Sequence, residues 1–216
     1  MNVYVAKQAI LDRFSNIVGY ELLFRDNCTK NKYTAIDGDK ATLELLQNSI
    51  INIGMNKLVG TKKAFVNFTD NILKSNIWSF ISPKNIIIEI LENIEPTNKI
   101  IDSCKLLKDK GFILALDDFV FNSKYMDLIK IVDIIKIDFL ITKNGERENI
   151  MKKIHNINSD IKFLAEKIET PNDFKEALSF GYSYFQGYFF SKPQIVTGEK
   201  NQNDSILFKK KEYTFV

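Results

Sequence analysis

The chain has 216 residues, of which 45% are hydrophobic and 26% are charged, an ordinary composition for a globular protein. Its formal net charge is only +3, from 30 basic and 27 acidic side chains, which argues against a surface that coats a DNA or RNA polymer. Its two cysteines, Cys28 and Cys104, have no CxxC spacing, and no stretch has the apolar core of a signal peptide or the length of a membrane span, so we expect no membrane segment and a reducing, cytoplasmic location.

The first two apolar runs of the chain are predicted to form an antiparallel hairpin. They cover residues 3–10 and 17–24 and are joined by only a few residues. A parallel crossover connection needs about a dozen residues or more, so this link is too short for one.

After the hairpin, short apolar runs alternate with longer patterns that are typical of helices. The further predicted strands are residues 64–68, 85–91, 112–118, 133–138, 162–167 and 184–190. The predicted helices are residues 39–59, 98–111, 123–132, 147–157 and 170–181, with Ser123 and Thr170 as caps of the third and the last. Alternating strands and helices indicate a parallel sheet, and eight strands favour its closure. We therefore predict an α/β fold, a TIM-like (β/α)8 barrel with one antiparallel strand at the N-terminal hairpin.

The end of the chain differs in composition from the rest. No linker-like stretch precedes Pro193, whereas residues 194–204 are polar and rich in turn formers. We expect one domain over residues 1–193, and residues 194–216 to be a C-terminal tail or the start of a second domain.

Almost every predicted strand carries a polar residue near its carboxyl end. These residues are Glu21, Asn67, Glu89, Asp117, Asp118, Lys136, Asp138, Glu166 and Gln186. The carboxyl ends of barrel strands converge on one face, where barrel enzymes build their active sites. A simpler interpretation is that buried strands stop where polar residues begin. It explains one or two cases, but not seven strands that end in acids, amides and a lysine.

Several carboxylates at one barrel mouth would repel one another, and divalent cations between them relieve that repulsion. The single histidine, His155, lies in a polar stretch, so a metal here would be held by oxygen atoms, which suit Mg²⁺, Mn²⁺ or Ca²⁺. Two metals about 4 Å apart, bridged by an aspartate, commonly hydrolyse phosphate esters. A lysine beside them can orient a water or stabilise developing charge.

The motifs around these positions resemble one known family. In chain order they read YELLFR, FVNFT, IIIEILE, ALDDF, IIKID, LAEKIET and FQGYFFSKP. Together they resemble the EAL-domain phosphodiesterases, which cleave the bacterial messenger cyclic di-GMP to linear pGpG. The resemblance extends roughly from Val3 to Pro193. YELLFR and LAEKIET resemble the subgroup in which a helical domain of the HDOD type usually follows the EAL domain.

The resemblance implies a role for each of these side chains. Two cations, Mg²⁺ or Mn²⁺, would be bound by Glu21, Asn67, Glu89, Asp117 and Asp118. Lys136 and Glu166 would act as catalytic groups next to the attacking water. Arg25, Gln186 and Asp138 would bind the substrate, with the guanidinium of Arg25 on a phosphate. Glu92 and Glu169 would stabilise the loops around the site. A homodimer is the assembly that the resemblance suggests.

Two positions depart from the family pattern. Val120 and Lys167 stand where glycine is usual, in the loop after the aspartate pair and in LAEKIET. Valine does not adopt the positive φ that glycine allows, so we expect this loop to follow another path. An alternative function is therefore a catalytically weak or inactive EAL domain that binds cyclic di-GMP or a protein partner. A Mg²⁺-dependent barrel of the enolase kind, with a lysine that abstracts a proton, is a third interpretation, which the ordered motifs disfavour.

Overall fold

The computed structural model describes residues 2–25 and 38–200. Its strands are β1 (Asn2–Asp12), β2 (Ile17–Arg25), β3 (Lys63–Phe68), β4 (Ile86–Ile90), β5 (Ile113–Leu116), β6 (Ile134–Asp138), β7 (Lys162–Glu166), β8 (Tyr184–Phe185) and β9 (Gln194–Glu199). Its α-helices are α1 (Gly38–Gln47), α2 (Met55–Val59), α3 (Asp70–Lys74), α4 (Asn98–Asp109), α5 (Met126–Ile129), α6 (Asn144–His155) and α7 (Pro171–Phe180).

Strands β1 to β8 form a closed barrel. Each strand from β2 to β8 is parallel to the next one along the chain. Strand β1 closes the ring because it pairs antiparallel with both β2 and β8. The predicted TIM-like barrel with an antiparallel N-terminal hairpin is therefore confirmed. The link between β1 and β2 is too short to return the chain to the other end of the barrel, and this is why β1 runs in the opposite direction.

A further strand, β9, lies on the edge of β1 and was not predicted. It pairs antiparallel with β1, from Gln194 opposite Lys7 to Glu199 opposite Asn2. Strand β1 has 11 residues, so its first half can pair with β9 while its last two residues pair with β8. Residues 194–199 of the predicted tail thus belong to the sheet, while the domain boundary at residue 193 stays a prediction.

The helices differ from the prediction in detail. The segment predicted as one helix over residues 39–59 consists of α1, a π-helix over Asn48–Ile53, and α2, and Gly54 separates the last two at φ 90°. Helix α3 and the 3-10 turn Ile77–Phe80 were missed. Ser123 was wrong as a cap, because Asn122 Oδ1 accepts the hydrogen bond from the Lys124 amide at 3.0 Å. Thr170 is confirmed as a cap: its hydroxyl oxygen accepts from the Asp173 amide at 3.1 Å.

The side chains inside the barrel change from apolar to polar between one inward-facing layer and the next. A buried apolar layer crosses the barrel and consists of Ile10, Phe65, Ile87, Ala115, Ile134 and Leu164. Side chains two positions apart on a strand point to the same side of the sheet. The next inward layer is therefore formed by residues two positions away, namely Gln8, Asn67, Glu89, Asp117, Lys136 and Glu166. The apolar layer is the floor on which the polar layer rests.

A second, larger apolar core fills the space between the barrel and the helices around it. Its most buried members include Leu46, Phe68, Ile100, Phe163 and Tyr182. This core fixes the outer face of each strand and thereby the direction of the inward side chains. Within residues 2–25 and 38–200, no helix is both long and apolar enough to cross a membrane.

Candidate active site

Strand register brings the predicted polar residues together in pairs at the carboxyl end of the barrel. Asn67 lies opposite Glu89 across β3 and β4, and Asp138 lies opposite Glu166 across β6 and β7. Because residues that are opposite in neighbouring strands have their Cβ atoms about 5 Å apart, each pair presents oxygen atoms to the same small volume.

Lys136 lies at the centre of the polar layer. Its Nζ atom is 2.6 Å from Glu89 Oε1, 2.6 Å from Asp117 Oδ1 and 3.0 Å from Glu166 Oε1. The lysine and Glu89 are fully buried, and Glu166 is nearly so. A single positive charge thus lies among three acidic side chains that are largely shielded from water. This shielding strengthens the attraction between the lysine and each acid. We call this set of four residues the inner cluster.

The pKa values in the inner cluster reflect burial and crowding of like charges. Burial raises the pKa of Glu166 to about 8, and the positive charge of Lys136 only partly opposes that rise. Burial also raises the pKa of Glu89 well above its usual range, again against the opposing effect of Lys136. For Lys136, burial lowers the pKa, but Asp117, Glu166 and Glu89 outweigh it and the pKa lies above its usual range. Lys136 is therefore charged, and at least one glutamate has a tendency to hold a proton near neutral pH.

Glu21 and Gln186 are joined by a chain of amide hydrogen bonds. Gln186 Nε2 donates to Glu21 Oε2 at 2.6 Å and to Gln8 Oε1 at 3.1 Å, and Gln8 Nε2 donates to the Ser191 carbonyl at 3.0 Å. Gln8, which is buried, is a site residue that the prediction missed. It interrupts an apolar strand as the other site residues do, but its neighbour Lys7 is also polar, so the sequence did not show which of the two points inward.

The two adjacent aspartates point to different parts of the site. Strand β5 ends at Leu116, and the Asp117 amide donates to the Ile90 carbonyl at 3.0 Å. Asp118 then has a positive φ of 39°, which turns the chain. The Phe119 amide returns to the Lys136 carbonyl at 2.9 Å. Asp117 therefore belongs to the inner cluster, while Asp118 lies above it.

Asp118 and Asp138 share a second lysine, Lys167. Its Nζ atom donates to Asp118 Oδ1 at 3.1 Å and Oδ2 at 3.2 Å, and also to Asp138 Oδ2. Asp138 Oδ1 accepts from the amides of Leu140 and Ile141, at 2.6 and 3.3 Å, so both of its oxygen atoms are engaged. We call Asp118, Asp138 and Lys167 the outer cluster. Lys167 is the second residue whose role in the site was not predicted, although its departure from glycine was noted.

Backbone packing next to Lys167 fixes the position of this lysine in the outer cluster. The Ile168 amide donates to the Gln186 carbonyl at 3.0 Å, and the Phe189 amide donates to the Ile168 carbonyl at 3.0 Å. A Cβ atom on Gly187 would lie 2.1 Å from the Ile168 carbonyl oxygen, so only glycine permits this approach. The segments after β7 and β8 are thus locked together directly beneath the site.

Three predicted site residues lie at the rim. Glu169 lines a cavity of about 290 Å³ together with Glu21, Asp117 and Lys167. Arg25 lines a neighbouring cavity of about 340 Å³ that also reaches Asn67. The Glu92 side chain is exposed, and its carbonyl accepts from the Tyr125 hydroxyl at 3.0 Å. That bond ties Glu92 to the segment after Val120, which is itself exposed and is not among the described residues with positive φ.

Several buried oxygen atoms at the site have no hydrogen-bond donor among the residues that the structure describes. They are Asn67 Oδ1, Glu89 Oε2, Glu166 Oε2 and Gln186 Oε1. Buried acceptors without donors carry a desolvation penalty that a bound cation would remove, and carboxylate and amide oxygens are the ligands that Mg²⁺, Mn²⁺ and Ca²⁺ prefer. In the described part of the chain no three acidic, histidine or cysteine side chains already have the spacing of a metal site. The donor set therefore fits a divalent cation, but its carboxylates now face the ammonium groups of Lys136 and Lys167.

Solved structures with the same fold contain EAL domains. The crystal structure of an EAL-domain protein from Listeria monocytogenes EGD-e has a TM-score of 0.67 and 22% identity, and the match covers 89% of this chain and 88% of that one. The Bacillus subtilis YkuI protein, solved in complex with its substrate c-di-GMP and calcium, has a TM-score of 0.68 and 20% identity, over 95% of this chain and 58% of that one. At these identities the likeness shows the fold.

Sequence relatives are closer. An uncharacterized protein of Bacillus subtilis (strain 168), YuxH, is 45% identical over 203 residues, which are 92% of this chain and 49% of that protein. The cyclic di-GMP phosphodiesterase CdgJ of Vibrio cholerae serotype O1 is 35% identical over 194 residues, or 89% of this chain and 45% of that protein. This chain thus spans about half the length of these curated relatives. The model of the EAL domain family matches residues 38–193, and the chain belongs to that family.

Proposed function

We propose that this chain hydrolyses cyclic di-GMP to linear pGpG with the help of two divalent cations, Mg²⁺ or Mn²⁺. The observation that carries the proposal is the inner cluster: buried acids around Lys136 at the carboxyl end of a barrel, with oxygen acceptors that no group in the described part of the chain satisfies. The membership of the EAL family and the naming of CdgJ as a cyclic di-GMP phosphodiesterase support the choice of substrate.

The cations would be held by Glu21, Asn67, Glu89, Asp117 and Asp118. When bound, they supply Lewis-acid stabilisation of the phosphodiester and lower the pKa of a coordinated water. The side chains present at the site suit hard cations, since all five offer oxygen atoms.

Lys136 and Glu166 would serve the attacking water. Lys136 is fixed by its three acidic neighbours, so its ammonium group can stabilise negative charge at a constant position. Glu166 Oε2 has no donor within residues 2–25 and 38–200, so it can face the water as an acceptor. Because burial raises the pKa of Glu166 to about 8, the deprotonated form that can take a proton from the water increases as the pH rises towards 8.

The rim residues would bind and enclose the nucleotide. Arg25 would contact a phosphate with its guanidinium, whose planar donors match phosphate oxygens. Gln186 and Asp138, which are buried below the rim, would also contact the substrate, and Glu92 and Glu169 would stabilise the surrounding loops. A homodimer and an HDOD-type domain in a longer protein are further partners that we propose on the family resemblance alone.

A second candidate function is a cyclic di-GMP-binding or protein-docking module without hydrolysis. It is favoured by the outer cluster, in which Lys167 occupies the oxygen atoms of Asp118 that a cation would need. In such a module the same ligands would hold the nucleotide, but the water would not be activated.

The two candidates differ in one assay. The protein is incubated with cyclic di-GMP and Mn²⁺ or Mg²⁺, pGpG is quantified by chromatography, and nucleotide binding is measured by equilibrium dialysis. We expect pGpG from the unaltered chain and none from Glu21→Ala. Glu148→Ala is the matched control, because Glu148 lies on the exposed face of α6, where it pairs with Lys152 at 2.6 Å. Binding without pGpG supports the module, and absence of binding contradicts both.

A further inference from the structure

The outer cluster places a lysine where a second cation would bind. Lys167 Nζ contacts both oxygen atoms of Asp118 and one of Asp138. Asp118 is one of the five proposed metal ligands. A metal bound to Asp118 and the Lys167 ammonium group compete for the same oxygen atoms, because both are cations that need them as ligands or acceptors.

The backbone shows that this arrangement is held in place against a conformational penalty. Lys167 has φ 55°, in the left-handed region, where a residue other than glycine loses about 1 kcal/mol or more. The packing of Ile168 against Gly187 imposes that conformation. This backbone conformation directs the lysine side chain across the mouth of the barrel to Asp118 and Asp138.

Lys167, unlike Lys136, can move its ammonium group away from the acids that it contacts. The Lys136 side chain is fully buried, so its ammonium group has no route to water. The Lys167 side chain is 41% exposed and lines the open cavity. A flexible lysine stem can turn the ammonium group into solvent without any change in the backbone.

We propose that Lys167 is a resident cation that holds the place of the second divalent cation, so that the two cations bind with unequal strength and the second must displace the lysine from Asp118. This inference rests on the two-cation site of the proposed function. The first cation would bind on the side of Glu21, Asn67 and Glu89, which Lys167 does not contact in the structure. The second would then bind only at higher concentration.

The test is a titration of the metal-free chain with Mn²⁺, in which electron paramagnetic resonance measures free Mn²⁺. For the unaltered chain we expect a second binding step at least roughly tenfold weaker than the first, since one charged neighbour commonly changes ion binding by that factor or more. Lys167→Met removes the charge and keeps the length, and should tighten the second step roughly tenfold while leaving the first unchanged.

Three further variants make the titration specific. Lys167→Arg keeps the positive charge and should keep the second step weak. Lys167→Gly removes the side chain and also the strain of the positive φ, so its titration should match that of Lys167→Met. It therefore keeps the test valid if Lys167→Met fails to fold. Lys152→Met removes a charge from the exposed face of α6 and should leave both steps as they are.

Equal binding of two Mn²⁺ ions by the unaltered chain, an unchanged second step in Lys167→Met and Lys167→Gly, or no Mn²⁺ binding at all would each overturn the inference. Its failure is separable from failure of the proposed function. Formation of pGpG with an unchanged titration leaves the function standing and removes the role of Lys167. A second binding step that tightens in Lys167→Met, in a chain that forms no pGpG, supports the role of Lys167 and contradicts the proposed function.

Discussion

The two lysines of the site both reduce the repulsion between neighbouring acids, but they lie at different depths in the barrel. Lys136 lies inside the barrel, is fully buried and contacts three acids. Lys167 lies at the mouth, is partly exposed and contacts two. Attraction between charges depends on their separation from water, so the inner contacts belong to the fixed structure while the outer ones can be exchanged for other cations.

The comparison explains why the site can be both stable and open to cations. Buried acids that share a lysine do not need a metal in order to fold, because the lysine, together with a proton on one of the glutamates, reduces their repulsion. The inner cluster therefore keeps its geometry when no cation is present. In the outer cluster, Asp138 accepts from the amides of Leu140 and Ile141, and the Phe119 amide fixes the chain after Asp118, so neither acid depends on Lys167 alone for its position.

The largest expected effect comes from removing the inner lysine. Lys136→Met leaves Glu89, Asp117 and Glu166 buried without their counter-charge, and we expect a loss of about 3–5 kcal/mol in the free energy of unfolding. Urea denaturation in EDTA measures it. We also expect Mn²⁺ to restore more stability to this variant than to the unaltered chain, because the metal supplies the missing positive charge.

Lys152→Met is the control for this experiment, since the Lys152–Glu148 pair is exposed and should contribute less than about 1 kcal/mol. If Lys136→Met were as stable in EDTA as the control, the view of the inner cluster as a compensated buried set would be wrong.

A smaller effect is expected where backbone packing supports the outer cluster. Gly187→Ala would place a methyl group 2.1 Å from the Ile168 carbonyl oxygen, and the required shift should destabilise the chain by about 1–3 kcal/mol. Gly145→Ala is the matched control, because a Cβ there meets nothing within 4 Å and lies in helix α6. We expect this control to be neutral or more stable by about 0.5–1 kcal/mol. The midpoints of thermal unfolding of the two variants measure this difference in stability, and equal midpoints would contradict the packing argument.

The smallest effect on stability is expected at Lys167 itself. Lys167→Gly loses the outer contacts but also the strain of the left-handed backbone, whereas Lys167→Met loses the contacts and keeps the strain. We therefore expect the glycine variant to be more stable than the methionine variant by about 1 kcal/mol. Urea unfolding of the two variants in parallel measures the difference. A methionine variant that is the more stable of the two would show that position 167 is not strained.

Most of the fold followed from the sequence because two local signals agreed. Apolar runs of strand length alternated with helical patterns, and the short link after β1 excluded a parallel connection. The polar strand ends were predictable for the same reason: residues two apart share a face, so Glu89 after Ile87 and Lys136 after Ile134 had to enter the same interior.

What the sequence did not show depends on backbone geometry and distant contacts. The direction of the Lys167 side chain follows from a positive φ that Gly187 and Ile168 impose from another strand. Strand β9 has a polar composition and forms because β1 is long enough to offer it an edge. The π-helix after α1 likewise has no pattern of its own, and Gln8 was ambiguous because Lys7 precedes it.

The three neighbours of β1 determine when the barrel can close during synthesis. Leu11 pairs with Phe185, and Asn2 pairs with Glu199, so β1 meets partners that are translated long after it. Until then one edge of the β1–β2 hairpin is unpaired, and unpaired edges invite association with other chains. Closure of the barrel, and with it assembly of Gln8 with Gln186, is thus a late event with a high contact order, and it is expected to set the rate of folding.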